Sequence, residues 1–300
     1  MKSATLQDYK QRMLRVLVYI QQNLDRELSL QELAEVAHFS PYHFHRIFRG
    51  MVGETLQGHI RRIRLERAAA RLMQTDRSII RIAFEAGYES HEAFTRAFQT
   101  MTGQAPSAFR VQRQALNHGP SPTGVHYPLH ESPDDFDPLE NGGSTMDVTI
   151  KIIDPQRVAF MRHVGPYNQV GGTWEKLCMQ LGAQGLLGPG ATFFGLCYDD
   201  PEVTPAEKIR YDACITVDEK FQPEGDIGVQ TIPGGDYAVT THHGPYEKLN
   251  ETYAQLCGQW APRSGRTVAA APCFEHYLND PQSTEPEELL TDIHMPLEPR

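Results

Sequence analysis

Apolar residues fall at helical spacing through the first 115 positions and in short alternating runs after residue 145. Leu14, Leu17, Val18 and Leu24 recur at intervals that place them on one side of a helix over 8–24. Leu30, Leu33 and Ala34 share a face of a second helix, and Phe44, Ile47 and Phe48 share a face of a third. Residues 55–73, TLQGHIRRIRLERAAARLM, are rich in good helix formers. The pattern stops between about 116 and 145, where five prolines and four glycines read as a linker. Then DVTIKII, RVAFMRHV, TFFGLCYD, YDACITV, YAVTTHH, CFEHYL and TDIHMPL read as strands, with helical stretches near 168–182 and 247–261. The expected fold class is an all-α N-terminal double helix-turn-helix domain (1–115), a linker (116–145) and an α+β C-terminal domain (146–300) of duplicated β-α-β-β modules.

Helix-boundary residues sharpen the first half. Ser29-Leu30-Gln31-Glu32 is a capping box, in which Ser29 accepts an amide and Glu32 reaches back. His38-Phe39-Ser40 makes a turn, with Ser40 as N-cap and Pro41 at the first helical position. The pattern then repeats. Leu33-Ala34-Glu35-Val36-Ala37 aligns with Ile82-Ala83-Phe84-Glu85-Ala86, and Phe44, Arg46, Phe48, Met51 and Gly53 align with Phe94, Arg96, Phe98, Met101 and Gly103. In the second copy Gly87 takes a turn position suited to positive φ, and Ser90 caps. Each copy places a helix with polar residues outward after a turn, the sequence image of a recognition helix. The helix between the copies carries Arg61, Arg62, Arg64, Arg67 and Arg71. Its length is about 27 Å by helical rise, against about 34 Å between successive major grooves of DNA.

The second half repeats too. Gly165-Pro166-Tyr167 aligns with Gly244-Pro245-Tyr246, Leu177-Cys178 with Leu256-Cys257 and Tyr198 with Tyr277, all at an offset of 79. One such module is too small to bury its own helix, so two copies are expected to share a core. A concave pocket is expected between them, with aromatic residues dense around it. Glu275 stands out as a carboxylate in the apolar strand Cys273–Leu278, where the first copy has Leu196. A carboxylate among aromatics attracts cations through charge and cation–π contact. His163, His242 and His243 flank the two G-P-Y turns and read as turn or rim residues.

Charge changes the picture only once it is divided. The net charge of −10 argues against nucleic acid, but residues 1–115 carry +6 and residues 116–300 carry −16. A basic, arginine-rich half joined to an acidic half points to a nucleic-acid module with a separate domain. The five cysteines all lie in the acidic half without a C-x-x-C pair, which fits reduced thiols and a cytoplasmic protein. No apolar run is long enough to span a membrane.

Residues 9–113 resemble the DNA-binding domain of the AraC/XylS family of bacterial transcription regulators. The resemblance rests on Leu33-Ala34, Phe44-His45-Arg46-Ile47-Phe48, Arg64-Leu65-Glu66-Arg67-Ala68, Ile82-Ala83, Gly87-Tyr88, Phe94-Thr95-Arg96-Ala97-Phe98 and Pro106-Ser107. It implies DNA contacts from Tyr42, His45, Arg46, His91, Glu92, Thr95 and Arg96. Arg46 and Arg96 have the chemistry for guanine, Glu92 for cytosine, and Thr95 for a thymine methyl or a phosphate. Residues 146–298 resemble the GyrI-like, or Rob-type, effector-binding domain. The marks are Val164-Gly165-Pro166-Tyr167, Phe274-Glu275-His276-Tyr277 and Leu278-Asn279-Asp280-Pro281. That resemblance implies a pocket for hydrophobic and often cationic compounds, assigned here to Glu275, Tyr167, Trp174, Phe194 and Tyr246.

The expected function is a DNA-binding transcriptional regulator whose C-terminal domain binds a small effector. The alternative is a small-molecule hydrolase fused to a DNA-binding domain, with Glu275 activating water. The expected partners are double-stranded DNA, a small-molecule effector and RNA polymerase, without a membrane, for a monomer or homodimer. No cofactor, metal site or catalytic set is expected.

Overall fold

The structure is a computed structural model that describes residues 2–112, 121–127, 135–139, 146–188 and 190–299. It divides into two compact units. One comprises the described residues of Met1–Leu6, Ser40–Gly50 and Asn141–Arg300, and the other those of Gln7–Phe39 and Met51–Glu140. This division does not follow the sequence boundary at 115, because the outward-reading helix of the first repeat belongs to the unit that holds the sheet.

The helical unit is built on α1 (Lys2–Gln22), α2 (Leu30–Ala37), α4 (Leu56–Gln74), α5 (Ile79–Glu85), α6 (His91–Thr102) and α7 (Pro106–Gln112). Ser29 and Ser90, anticipated as caps, accept the amides of Glu32 and Ala93, and Ser78 caps its helix in the same way by accepting the Arg81 amide. The turns of the two repeats agree in backbone as well. His38 has φ 53° and Gly87 has φ 82°. The core gathers Leu65, Ala69, Leu72, Ile82, Phe94, Phe98 and Phe109.

The arginines of α4 are engaged internally. Arg62 binds Glu54, Glu66 and the Val125 carbonyl; Arg64 binds the carbonyls of Leu24 and Arg26; Arg67 and Arg71 hold Glu85 and Asp25. Only Arg61 of the five is exposed.

Much of the expected linker lies outside the described residues. Its described pieces are pinned rather than loose. The buried Glu66 carboxylate accepts the Tyr127 amide at 2.7 Å and contacts His126 Nδ1 at 2.9 Å, while Val125 and Phe136 are buried.

The other unit carries a single eight-stranded sheet. Its strands are β1 (Thr149–Ile153), β2 (Gln156–Val164), β3 (Phe193–Cys197), β4 (Arg210–Thr216), β5 (Gly228–Ile232), β6 (Gly235–His243), β7 (Phe274–Tyr277) and β8 (Leu290–Pro296). The spatial order is β1-β6-β8-β7-β3-β4-β2-β5, antiparallel throughout. The duplication is therefore one continuous sheet, with β3 and β7 paired at its centre. The first strand of each module is exchanged: β1 pairs with β6 of the second copy and β5 with β2 of the first.

Helix α8 (Gly171–Ala183) follows the first G-P-Y turn, and α9 (Leu249–Ala254) follows the second. α9 runs on through a π-helical turn, Gln255–Trp260, into α10 (Ala261–Ser264). His163 and His242 bridge turn to helix in the same way. Nδ1 meets Thr173 or Thr252, and Nε2 meets the Pro166 or Pro245 carbonyl at 3.2 Å. A carbonyl only accepts, so each ring carries its proton on Nε2. Among the described residues, no helix is long and apolar enough to cross a membrane.

The register corrects one detail of the repeat. Strands β2 and β6 correspond at an offset of 79, but Asp212 and Asp292, on β4 and β8, correspond at 80. β3 and β7 follow the second offset, because Cys197 pairs with Tyr211 where Tyr277 pairs with Thr291. The counterpart of Glu275 is therefore Gly195, which it faces across the strand pair, and not Leu196. The π-helical turn, which holds one residue more than an α-turn, lies in the interval where the offset changes.

Candidate functional site

Glu275 is buried, 5% exposed, on the sheet face that α8 covers. Three donors converge on it. Tyr253 Oη reaches Oε1 at 3.0 Å, Cys197 Sγ reaches Oε1 at 3.2 Å, and Tyr277 Oη reaches Oε2 at 2.6 Å. Behind Tyr277 stands Tyr211, with 2.9 Å between the hydroxyl oxygens, and Trp174 Nε1 donates to Tyr211 at 3.0 Å. Each phenol has one proton, and that of Tyr277 goes to Glu275. The bonds must therefore run one way, from Trp174 to Tyr211 to Tyr277 to the carboxylate. Burial first, and then the Glu275 carboxylate, push the phenols of Tyr211, Tyr253 and Tyr277 well above their ordinary range. They stay protonated as donors. Tyr246 packs edge-on against Tyr277 at 5.5 Å and is pushed up to about 12 by burial and the same carboxylate.

The close pair of hydroxyls requires Gly195. A Cβ there would lie 2.5 Å from the Tyr211 hydroxyl and would also strike that of Tyr277. A glycine inside an apolar strand marks such an approach. Tyr253 is not among the residues assigned from the sequence; the signal for it is that it stands 79 residues after Trp174 in the repeat.

The sequence-derived pocket residues divide. Trp174, Tyr246 and Tyr167 lie with the tyrosine cluster. Tyr167 stands edge-on to Tyr211 at 5.9 Å and donates to the Asp199 carbonyl at 2.7 Å. Phe194 is on the opposite sheet face, packed on Phe274 and His276 with Val158 and Tyr237 nearby. It alternates with Gly195, which faces Glu275.

Helix α3 (Pro41–Val52) contributes Ser40–Gly50 to this same unit. Ser40 accepts the Tyr42 amide at 3.3 Å. The Arg46 guanidinium lies 3.7 Å over the ring of Tyr253. Its charge also reaches Cys197 and Tyr167. Burial opposes that charge, and the Asp200 carboxylate supports it.

On either side of Arg46, His45 Nδ1 meets Asp200 at 2.9 Å, and Arg49 is ion-paired with Glu202. His45 lies 3.6 Å from Glu202 as well, so the three have the donor types of a metal site, though each already has a partner. His43 Nε2 donates to the Ala271 carbonyl at 2.8 Å. Of the residues assigned to DNA on this helix, His45 and Arg46 are buried and Tyr42 is half-buried. On α6, in the helical unit, His91, Glu92 and Arg96 are exposed and Thr95 is half-buried. Two surface hollows lie elsewhere, lined by Gly185, Leu186 and Gly188 with Thr216–Asp218 and by Gln7, Lys10 and Asp135; neither reaches Glu275.

Residues 146–298 match the family described as a GyrI-like small molecule binding domain. The chain belongs to the GyrI-like family. Residues 33–112 match a helix-turn-helix domain of the AraC type. The GyrI-like domain thus holds both modules and the Glu275 cluster, while α3 comes to it from the helix-turn-helix span.

Relatives include YbfP of Bacillus subtilis, named as an HTH-type transcriptional regulator. It is 40% identical over 103 residues, which are 34% of this chain and 35% of that protein. The probable transcriptional regulator YgiV of Escherichia coli is 35% identical over 106 residues, covering 35% of this chain and 66% of that protein. A DNA gyrase inhibitor of Enterobacter lignolyticus is 33% identical over 139 residues, covering 45% of this chain and 87% of that protein. The chain therefore spans under two thirds of the first two.

Proposed function

We propose that the protein is a one-component, cytoplasmic transcriptional regulator. Its two recognition helices, α3 and α6, bind duplex DNA, and its GyrI-like domain binds a hydrophobic cation that modulates that binding. The observation that carries the reading is the buried Glu275 carboxylate, ringed by Tyr253, Tyr277 and Cys197 in a domain of a small-molecule binding family. A carboxylate gives such a site its sign, and aromatic faces give it affinity for flat or lipophilic cations. The exposed His91, Glu92 and Arg96 of α6 supply base-edge chemistry. RNA polymerase is a further partner in this reading, by analogy with the regulators the chain resembles.

The test is a titration of the full chain with tetraphenylphosphonium, followed by Trp174 fluorescence. Glu275→Gln keeps the shape and removes the charge, and it is expected to weaken binding by about 1.5–3 kcal/mol, the worth of a hydrogen-bonded charged group. Unchanged affinity overturns the carboxylate role. Turnover of a bound compound that disappears in Glu275→Gln would instead establish the hydrolase.

A further inference from the structure

The position of helix α3 is incompatible with base reading by its outward side chains. To read bases, its outward side chains must enter a major groove. Here His45 is 1% exposed and Arg46 8% exposed, both turned into the GyrI-like domain. Three features show that the helix fits this place closely. Arg46 stacks 3.7 Å over Tyr253, whose hydroxyl is bound to Glu275. His45 and Arg49 engage Asp200 and Glu202. Gly50 meets Gly258 in the π-helical turn, where a Cβ on Gly258 would lie 2.5 Å from Gly50 Cα and 2.8 Å from the Ile47 carbonyl. Backbone approaches this close leave no room for any side chain larger than hydrogen.

A guanidinium is a planar, delocalised and weakly hydrated cation. It occupies the face of Tyr253, whose hydroxyl is bound to Glu275, and a flat cation drawn to that carboxylate would meet the same face. We propose that Arg46 is a tethered stand-in for the effector: cation and recognition helix compete for the face of Tyr253 beside Glu275, so that effector binding frees α3 for DNA. This rests on the assignment of the Glu275 cluster as the effector site. The apparent affinity for the cation is lowered by the fraction of chains with α3 docked. Linkage then makes DNA and cation each strengthen the binding of the other.

Gly258→Leu separates the helices while leaving Tyr253, Glu275 and every side chain of α3 intact. Full-length protein is used to select sites from a random duplex library. Wild type without cation is expected to enrich a single half-site, read by α6. Wild type with tetraphenylphosphonium, and Gly258→Leu without it, are expected to enrich two half-sites about one helical turn, ~10 bp, apart. Gly258→Leu also binds the cation about ten-fold more tightly than wild type. If that variant fails to fold, Asp200→Asn with Glu202→Gln loosens the same contact without touching the tyrosine cluster.

Two half-sites from wild type without cation, or a single half-site that persists in the released variants, overturns the proposal. So does a failure to enrich any site. Cation binding that is indifferent to Glu275→Gln overturns the pocket assignment instead, because occlusion of α3 is read separately by the selection without cation.

Discussion

Gly195 and His38 show how much a single backbone position can decide. Gly195 sits opposite Glu275, and the absent Cβ is the space in which the Tyr211 and Tyr277 hydroxyls meet. Gly195→Ala is expected to cost about 1–3 kcal/mol by overpacking. It should also weaken cation binding, because Tyr277 can no longer hold the carboxylate; urea unfolding and Trp174 fluorescence read the two effects. At the first turn, His38 adopts φ 53°, a conformation that costs a non-glycine residue about 1–2 kcal/mol. The second repeat has Gly87 at this place, with φ 82°. His38→Gly is expected to raise stability by up to about 1 kcal/mol, and Gly87→Ala to lower it by a similar amount. A fall in stability for His38→Gly would show that the imidazole contributes more than its strained backbone costs.

At the level of elements, local chemistry was legible and long-range placement was not. Ser29, Ser40, Ser78 and Ser90 each accept a nearby amide, because capping depends on residues two or three apart. Ser90→Ala is therefore expected to cost about 1 kcal/mol in thermal or urea unfolding, through the loss of the bond to Ala93. The strands and the two G-P-Y turns also announced themselves. The docking of α3 did not, since an amphipathic helix whose polar face carries His45, Arg46 and Arg49 looks the same whether that face meets solvent, DNA or a buried carboxylate. The arginines of α4 misled in the same way. Their charge suggests phosphate, yet four of the five hold carbonyls and carboxylates of the unit itself. Glu275 was found because a lone carboxylate in an apolar strand is locally anomalous. Tyr253 lies on a distant helix and is connected to it only by the register of the repeat.

For the molecule as a whole, acid should act in two stages. Burial holds His294 at about 4 against an ordinary 6.5, and burial lowers His59 and His276 as well. A histidine kept neutral in the native state takes up its proton on unfolding, so its contribution is lost as pH falls from about 6.5 towards 4. Glu54 follows. Burial opposes its charge, but hydrogen bonds from His59 and Arg62 outweigh burial and hold it at about 2 against 4.5. Its contribution is complete above its unfolded value and disappears as pH falls through about 2. Stability measured by denaturant at successive pH values should therefore decline first below about 6.5 and again below 4.5. His294→Phe is expected to flatten the first decline and Glu54→Gln the second; a profile unaltered by both would show that other groups govern acid unfolding.

The exchange of β1 and β5 between the modules has a consequence for descent and for assembly. Neither half of the GyrI-like domain contains all of its own neighbours, since the first strand of each lies against the other. A half-length chain could satisfy that pattern only by trading its first strand with a second copy. The domain thus has the topology of a strand-swapped homodimer joined into one chain, with the segment from Val217 to Ile227 as the connection. Within one chain the two copies can differ at equivalent places, and here one holds Gly195 where the other holds Glu275. A symmetric dimer would have carried two carboxylates or none.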